Sequence, residues 1–313
     1  MNNTYDSGNP TRNFFRWITE RHSIFVQKKT YQDPPWTDDS ILQTYKFTNP
    51  FRENDKVTVW MRKYWTRPND NRPHGEIIFN CCLFRMIGTS EFAHDHGWVT
   101  EWDPTRTKEI IDGRLAKGLR TFTGAYIITN QGLKAKKSEV VVDHFLNPIW
   151  ENKEALAETA TQTNSLQKVH QAMATYKGWG GGGFMSYEVV TDLNHTTVLD
   201  KAEDRFTWAN AGPGAVRGLN RIHGRELNKS LNQKQANEEM FDLLQLAGDF
   251  LDEKLWRIKS GDHETVDMRT IEHSLCEWDK YERVRLGQGT PRSKYKHKPK
   301  LKILKHEEVS WRN

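Results

Sequence analysis

The stretch that decides the fold reads Ser165-Leu166-Gln167-Lys168-Val169-His170-Gln171-Ala172-Met173, then Gly178-Trp179-Gly180-Gly181-Gly182-Gly183, then Phe184-Met185-Ser186-Tyr187-Glu188-Val189-Val190-Thr191-Asp192-Leu193. Leu166, Val169, Ala172 and Met173 recur at helical spacing, the glycines force a tight turn, and the apolar residues after them predict a second helix. A helix, a glycine hairpin and a helix have a physical use. Backbone N–H groups with no Cβ in the way approach a phosphate closely, and the next helix N-terminus adds partial positive charge. Gly180, Gly181, Gly182 and Gly183 are therefore candidates for contact with a DNA backbone, set against the plainer reading of a sharp corner. No Gly-Lys-Ser or Gly-Lys-Thr follows them, so the loop lacks the lysine and hydroxyl of a nucleotide-binding P-loop.

Outward from this core, the periodicity is also helical. Helices are predicted over 13–29 (Phe14, Trp17, Ile18), from the capping run Thr37-Asp38-Asp39 (Ile41, Leu42, Tyr45), and after Asn49-Pro50 (Val57, Trp60, Met61, Tyr64). Others are predicted over 77–86, 139–145, 151–161, 233–258 and 265–285. Strand signals are confined to 122–129 and 139–142, both equally readable as buried helix. The fold class is mainly α with few short strands. The simplest organisation is one composite helical domain over 1–285, with its helix-hairpin-helix core near 165–223 and a basic arm over 286–313.

At 313 residues the chain is long enough for a sizeable core, and with 28% charged residues it has no apolar window of membrane-spanning length. The first thirty residues lack a signal-peptide core, which makes the cytoplasm the expected location. Three cysteines, two of them adjacent, form neither a disulfide framework nor a zinc pattern. The net charge of +5 is concentrated at one end. Residues 285–305 hold eight Lys or Arg and no acid, which leaves the rest of the chain at −3. That arm, with Lys294 and Lys296, is suited to polyanions. Twelve Trp exceed what the core of a hydrophilic chain needs, so some are available to stack on bases.

The hairpin and its following helix, Gly181 to Leu193, resemble the helix-hairpin-helix element of base-excision DNA glycosylases. In that superfamily an essential aspartate follows the last hairpin glycine by about twenty residues, which points to Asp204 in Ala202-Glu203-Asp204-Arg205-Phe206-Thr207-Trp208. A broader resemblance is carried by Trp36-Thr37-Asp38-Asp39, Phe47-Thr48-Asn49-Pro50-Phe51-Arg52-Glu53-Asn54-Asp55, Trp208-Ala209-Asn210-Ala211-Gly212-Pro213-Gly214 and Ile271-Glu272-His273-Ser274-Leu275-Cys276-Glu277-Trp278-Asp279-Lys280-Tyr281. These segments resemble phage and bacterial proteins of thymine hypermodification, the α-glutamyl/putrescinyl thymine pyrophosphorylases and the helical domain of hydroxymethyluracil DNA kinases. The resemblance implies a glycosylase-like helical fold, a partner in DNA carrying modified pyrimidines, and chemistry on a nucleotide turned out of the stack. It implies neither a membrane nor any particular protein partner.

The expected reaction is excision of a hydroxymethylated or glucosylated pyrimidine by a DNA N-glycosylase, in defence against modified phages. The rival enzyme is an amino acid or polyamine:DNA transferase acting on phosphorylated 5-hydroxymethyluracil. A non-catalytic reader of modified bases is the third reading. For excision, Asp204 is the candidate carboxylate, with Asp192 and Asp200 behind it. The candidate base pocket comprises Trp179, Tyr187, Trp208, Asn210, Asn49 and Arg52, with Phe184 and Tyr187 as readily core. Arg217 and Arg221, four apart after Gly212-Pro213-Gly214, offer donors to a leaving phosphate or to the DNA backbone. Glu272, Cys276, Asp279 and Arg283 share a helix face, as an ion-pair lattice or a site lining. His94-Asp95-His96 lacks a convincing third metal ligand and reads as a surface loop. No cofactor and no metal are expected.

Overall fold

A computed structural model describes Asp6, residues 8–251 and residues 266–295. Its helices are α1 (Pro10–Lys29), α2 (Ser40–Thr44), α3 (Lys56–Met61), α4 (His74–Ile87), α5 (Ser90–His96), α6 (Pro104–Ala116), α7 (Lys137–Glu139), α8 (Asn147–Glu151), α9 (Lys153–Thr163), α10 (Leu166–Met173), α11 (Phe184–Leu193), α12 (Pro213–Ile222), α13 (Gln233–Phe250) and α14 (Met268–Arg285). The fold is mainly α. Among the described residues the sole strand-like feature is an isolated antiparallel bridge between Tyr45 and Lys294.

Two groups of helices share one core. In the first, α4 is buried along nearly its whole length and packs on α9 and α11, which also hold α10. In the second, α12 lies along α14, and both meet α1 and α13. Phe14 of α1 sets its ring 5.7 Å from Trp278 of α14, and Phe15 stacks on Phe250 of α13 at 5.0 Å. Small residues allow the α12–α14 approach: a Cβ on Gly218 would come within 2.7 Å of the Leu275 carbonyl oxygen.

Local chemistry sets several boundaries. Asp39 caps α2 by accepting from the Ile41 and Leu42 N–H groups. Asn9 caps α1 through the Arg12 N–H, and Pro10 occupies its first turn. The run 122–129 is irregular, and 139–142 is helical. Val140–Leu146 takes π geometry with Val140, Val141 and Val142 all buried, so a β-branched run enclosed on every side has the same pattern as an interior strand. His94 and His96 lie on α5 rather than in a loop. Both ring nitrogens of His96 are engaged, Nδ1 with the Gly97 carbonyl and Nε2 with the Thr107 hydroxyl. Lys296 and the basic arm beyond Tyr295 lie outside the described residues.

Candidate functional site

Glu188 and Asp192 project from α11, directly after the glycine hairpin, toward Arg85 on α4. Asp192 accepts a two-pronged bond from Arg85, with Nη2 to Oδ1 at 2.5 Å and Nε to Oδ2. Glu188, 3% exposed, is shared by three guanidiniums. Arg269, at the start of α14, reaches Oε1 at 2.6 Å, Arg52 reaches Oε2 at 2.8 Å, and Arg85 Nη1 stands 3.6 Å from Oε2. Burial alone would raise the Glu188 carboxyl, but Arg269, Arg52 and Arg85 together hold it well below the usual carboxylate range.

These residues border a partly open cavity of about 470 Å³, counting the solvent space at its mouth. Tyr187 and Trp208 form one wall, their rings edge-to-face at 5.5 Å. Arg52, Arg85, Arg269 and Asp192 form another, and Glu53, His195, Asp267, Arg205, Asn194, Thr58 and Thr191 add to the polar lining. His195 Nε2 lies 3.2 Å from Glu53 Oε1; burial pushes the Glu53 carboxyl up, yet the His195 hydrogen bond and charge outweigh it and hold Glu53 near 2. Asp267 caps α14 by accepting from the Thr270 N–H and hydroxyl, and burial raises its carboxyl. Glu272, one turn after Arg269 on α14, accepts weakly from the Gly212 N–H at 3.4 Å; burial lifts it to about 7 against the pull of Arg269. Arg269 Nε and Nη1 and Arg52 Nε are buried without a hydrogen-bond acceptor, and the Arg269 guanidinium lies over the Tyr187 ring, 4.7 Å from its centroid.

The hairpin behaves as a surface turn. Gly181 and Gly182 are exposed and a Cβ on either would meet open space, whereas Gly183 is buried at φ +72° with its α-carbon against His170. Asn210 donates to the Gly182 carbonyl at 2.8 Å, so it braces the turn and is not among the residues lining the cavity.

Of the residues singled out from sequence, Arg52, Tyr187, Asp192 and Trp208 meet at the cavity. Trp179 does not. It is fully buried, its indole N–H donating to the Phe145 carbonyl, and it offers no face to a base. Asn49 is also buried, and its amide oxygen receives its own loop's Phe51 N–H at 3.4 Å. Asp204 spends both carboxylate oxygens on the start of α10, accepting from the Leu166 and Gln167 N–H groups and the Ser165 hydroxyl. Arg217 and Arg221 each place Nε 2.9 Å from the fully buried Asp279, pinning α12 to α14. Lys294 is exposed at the bridge to Tyr45. Sequence reasoning missed Arg85, Glu188, Arg269 and His195, although Glu188 one helix turn before Asp192 after a glycine hairpin was a readable signal.

The helical-domain model of 5-hmdU DNA kinase matches residues 9–290. A 5-hmdU DNA kinase of Bacillus phage SP10 is 25% identical over 325 aligned positions, covering 96% of this chain and 49% of that protein. The chain thus spans about half the length of the curated relative it matches. No solved structure matches. These findings overturn the expected N-glycosylase: the relative is a kinase, which transfers a group, and a hydrolytic excision has no support among them. Asp204, chosen for that hydrolysis, loses its assigned reaction, and its bonds give it a capping task instead. By a match that covers most of its length, the chain belongs to the family of the 5-hmdU DNA kinase helical domain.

Proposed function

We propose that the cavity receives a hydroxymethylated pyrimidine turned out of DNA, and that the chain acts there as a group transferase of DNA hypermodification. The substrate would be phosphorylated 5-hydroxymethyluracil, and the incoming group an amino acid or polyamine. The observation that carries this reading is the convergence of Arg52, Arg85 and Arg269 beside the Tyr187–Trp208 wall of the cavity. An aromatic wall holds a base, and guanidiniums accept a leaving phosphate. In the transfer, the amine nitrogen attacks the 5-methylene carbon and the C–N bond forms. The C–O bond to phosphate breaks, and its electron pair leaves on the phosphate oxygen. The amine proton passes to a carboxylate, and among the lining acids Asp267, raised by burial, is suited to take it.

Mass spectrometry of digested DNA tests this. DNA carrying 5-(phosphoryloxymethyl)uracil should yield a heavier nucleoside only when amine is added, and its absence with every amine class refutes the reading. The rate should rise with pH as Asp267 loses its proton, above the usual carboxylate range, and Asp267→Asn, which keeps an acceptor for the α14 cap, should flatten that limb. The name of the phage relative favours a second reading, in which this half presents 5-hydroxymethyl-deoxyuridine for phosphorylation. In that case a phosphate mass appears and depends on a nucleoside triphosphate.

A further inference from the structure

Helix α3 begins beside the cavity and turns one side to it. Thr58 lines the cavity, and Met61, Arg62 and Trp65 are buried beneath the helix and its π-helical continuation, Arg62–Thr66. The opposite side is exposed and chemically uniform. Lys56, Val59, Lys63, Tyr64 and Arg67 are open to solvent, with half-buried Trp60 among them. The acids of this stretch are engaged elsewhere: Glu53 with His195, Asp55 with Arg52, and Asp70 with the Thr197 N–H. Trp60 is braced as a platform, stacked on Phe84 at 5.8 Å and 5.7 Å from Tyr64. Lys63 extends its ammonium over the Tyr64 ring at 4.9 Å.

Beyond Lys56 the pattern continues. Lys28 Nζ lies 4.5 Å from the Trp36 ring and 4.1 Å from that of Tyr295, the last described residue of the basic arm. Burial first, then the charges of Arg21 and Lys56, pull the Lys28 ammonium down to about 8. The influence of Lys56 connects this aromatic cage to the start of the α3 face.

We infer that the outward face of α3 and its π-helical continuation is a DNA-contact track, which holds the strand beside the extruded nucleotide by phosphate contacts to Lys56 and Lys63 and by base stacking on Trp60 and Tyr64. Alternating cations and ring faces are what a nucleic-acid strand offers partners for; an acidic protein would match the cations alone. From Lys56 to Arg67 the helix runs roughly 16 Å, enough to follow a few phosphates. The inference rests on the DNA-modifying reading of the cavity, and its test separates the two.

The test is a salt titration of binding to a fluorescein-labelled oligonucleotide containing 5-hydroxymethyluracil. Lys56→Gln with Lys63→Gln should weaken binding about tenfold and make the slope of log K against log salt shallower by about 1.4–1.8, since each phosphate contact contributes about 0.7–0.9. Tyr64→Ala should weaken binding about tenfold while leaving the slope alone, and Tyr64→Phe should restore it. Lys117→Gln, at an exposed site on the far end of α6, is the control. If the wild type binds with a steep slope that none of these variants changes, the track is wrong and the DNA reading stands. A wild type that binds no DNA overturns both. If Tyr64→Ala instead dissolves a dimer seen by light scattering, the face joins copies of the chain and the track is wrong.

Discussion

Two carboxylates in this molecule are each gripped by three arginines, and they do different things. Glu188 is held by Arg52, Arg85 and Arg269; Asp279 is held by Arg217, Arg221 and Arg283, the last at 3.5 Å. Around Asp279 the cations come from α12 and α14 themselves, and the cluster fills the seam between two helices already in van der Waals contact. Around Glu188 the cations come from three separate places, the Asn49–Asp55 loop, α4 and α14, and the convergence leaves a hollow. The Glu188 cluster borders the cavity, whereas the Asp279 cluster fixes the packing of α12 on α14.

The largest expected effect separates these clusters at the cavity. Glu188→Ala leaves three buried cations without their shared partner and should cost on the order of 3–5 kcal/mol, with product formation lost. Arg269→Lys keeps the charge but removes the planar fork, so it should retain the fold by thermal melting and still lower product formation at least tenfold. A fully active Arg269→Lys would move the chemistry away from this cavity. Asp279→Ala should cost about 3 kcal/mol, read as a fall in the urea midpoint, because Arg221 loses a fully buried partner. Its rate per folded molecule should stay within about twofold of wild type. A selective loss of rate would show that the two clusters are coupled across α14.

This pairing also marks how far the sequence could be read. The helices with a wide apolar stripe and a cap were legible: α1, α2, α11 and α14 appear where Phe14, Asp39, the glycine hairpin and Met268–Ile271–Leu275 place them. Helices α5 and α6 were not, because α6 buries only Thr107, Ile111 and Arg114, although the Asp103 cap and Pro104 announced its start. The site was half legible. Tyr187, Asp192 and Trp208 stood near the hairpin in sequence and stand near it in space. Arg85 and Arg269 lie about a hundred residues away on either side, and periodicity says nothing about which distant helices face each other. Arg217 and Arg221 misled for the complementary reason: their spacing was read correctly, but the acid that consumes them sits on α14.

The smallest effect concerns Asp204, where spacing suggested chemistry and the structure gives a cap. The first turn of α10 has N–H groups with no partner inside the helix. Asp204 takes those of Leu166 and Gln167 at 2.9 and 3.0 Å, and the Ser165 hydroxyl takes that of Lys168 at 3.1 Å. The carboxylate also faces the positive end of the helix dipole. Asp204→Ala removes both contributions and should cost about 1 kcal/mol, a fall of about 1.5 °C in Tm for a chain of this size. Asp204→Asn keeps an acceptor and should fall by less. Because α10 packs on α11, which carries Glu188 and Asp192, a loosened cap reaches the cavity only by lowering the folded population. Product formed per folded molecule should therefore be unchanged in both variants, measured well below their Tm. If Asp204→Asn melts like wild type and yet forms no product, Asp204 belongs to the chemistry and the contrast drawn between capping and catalysis at this position fails.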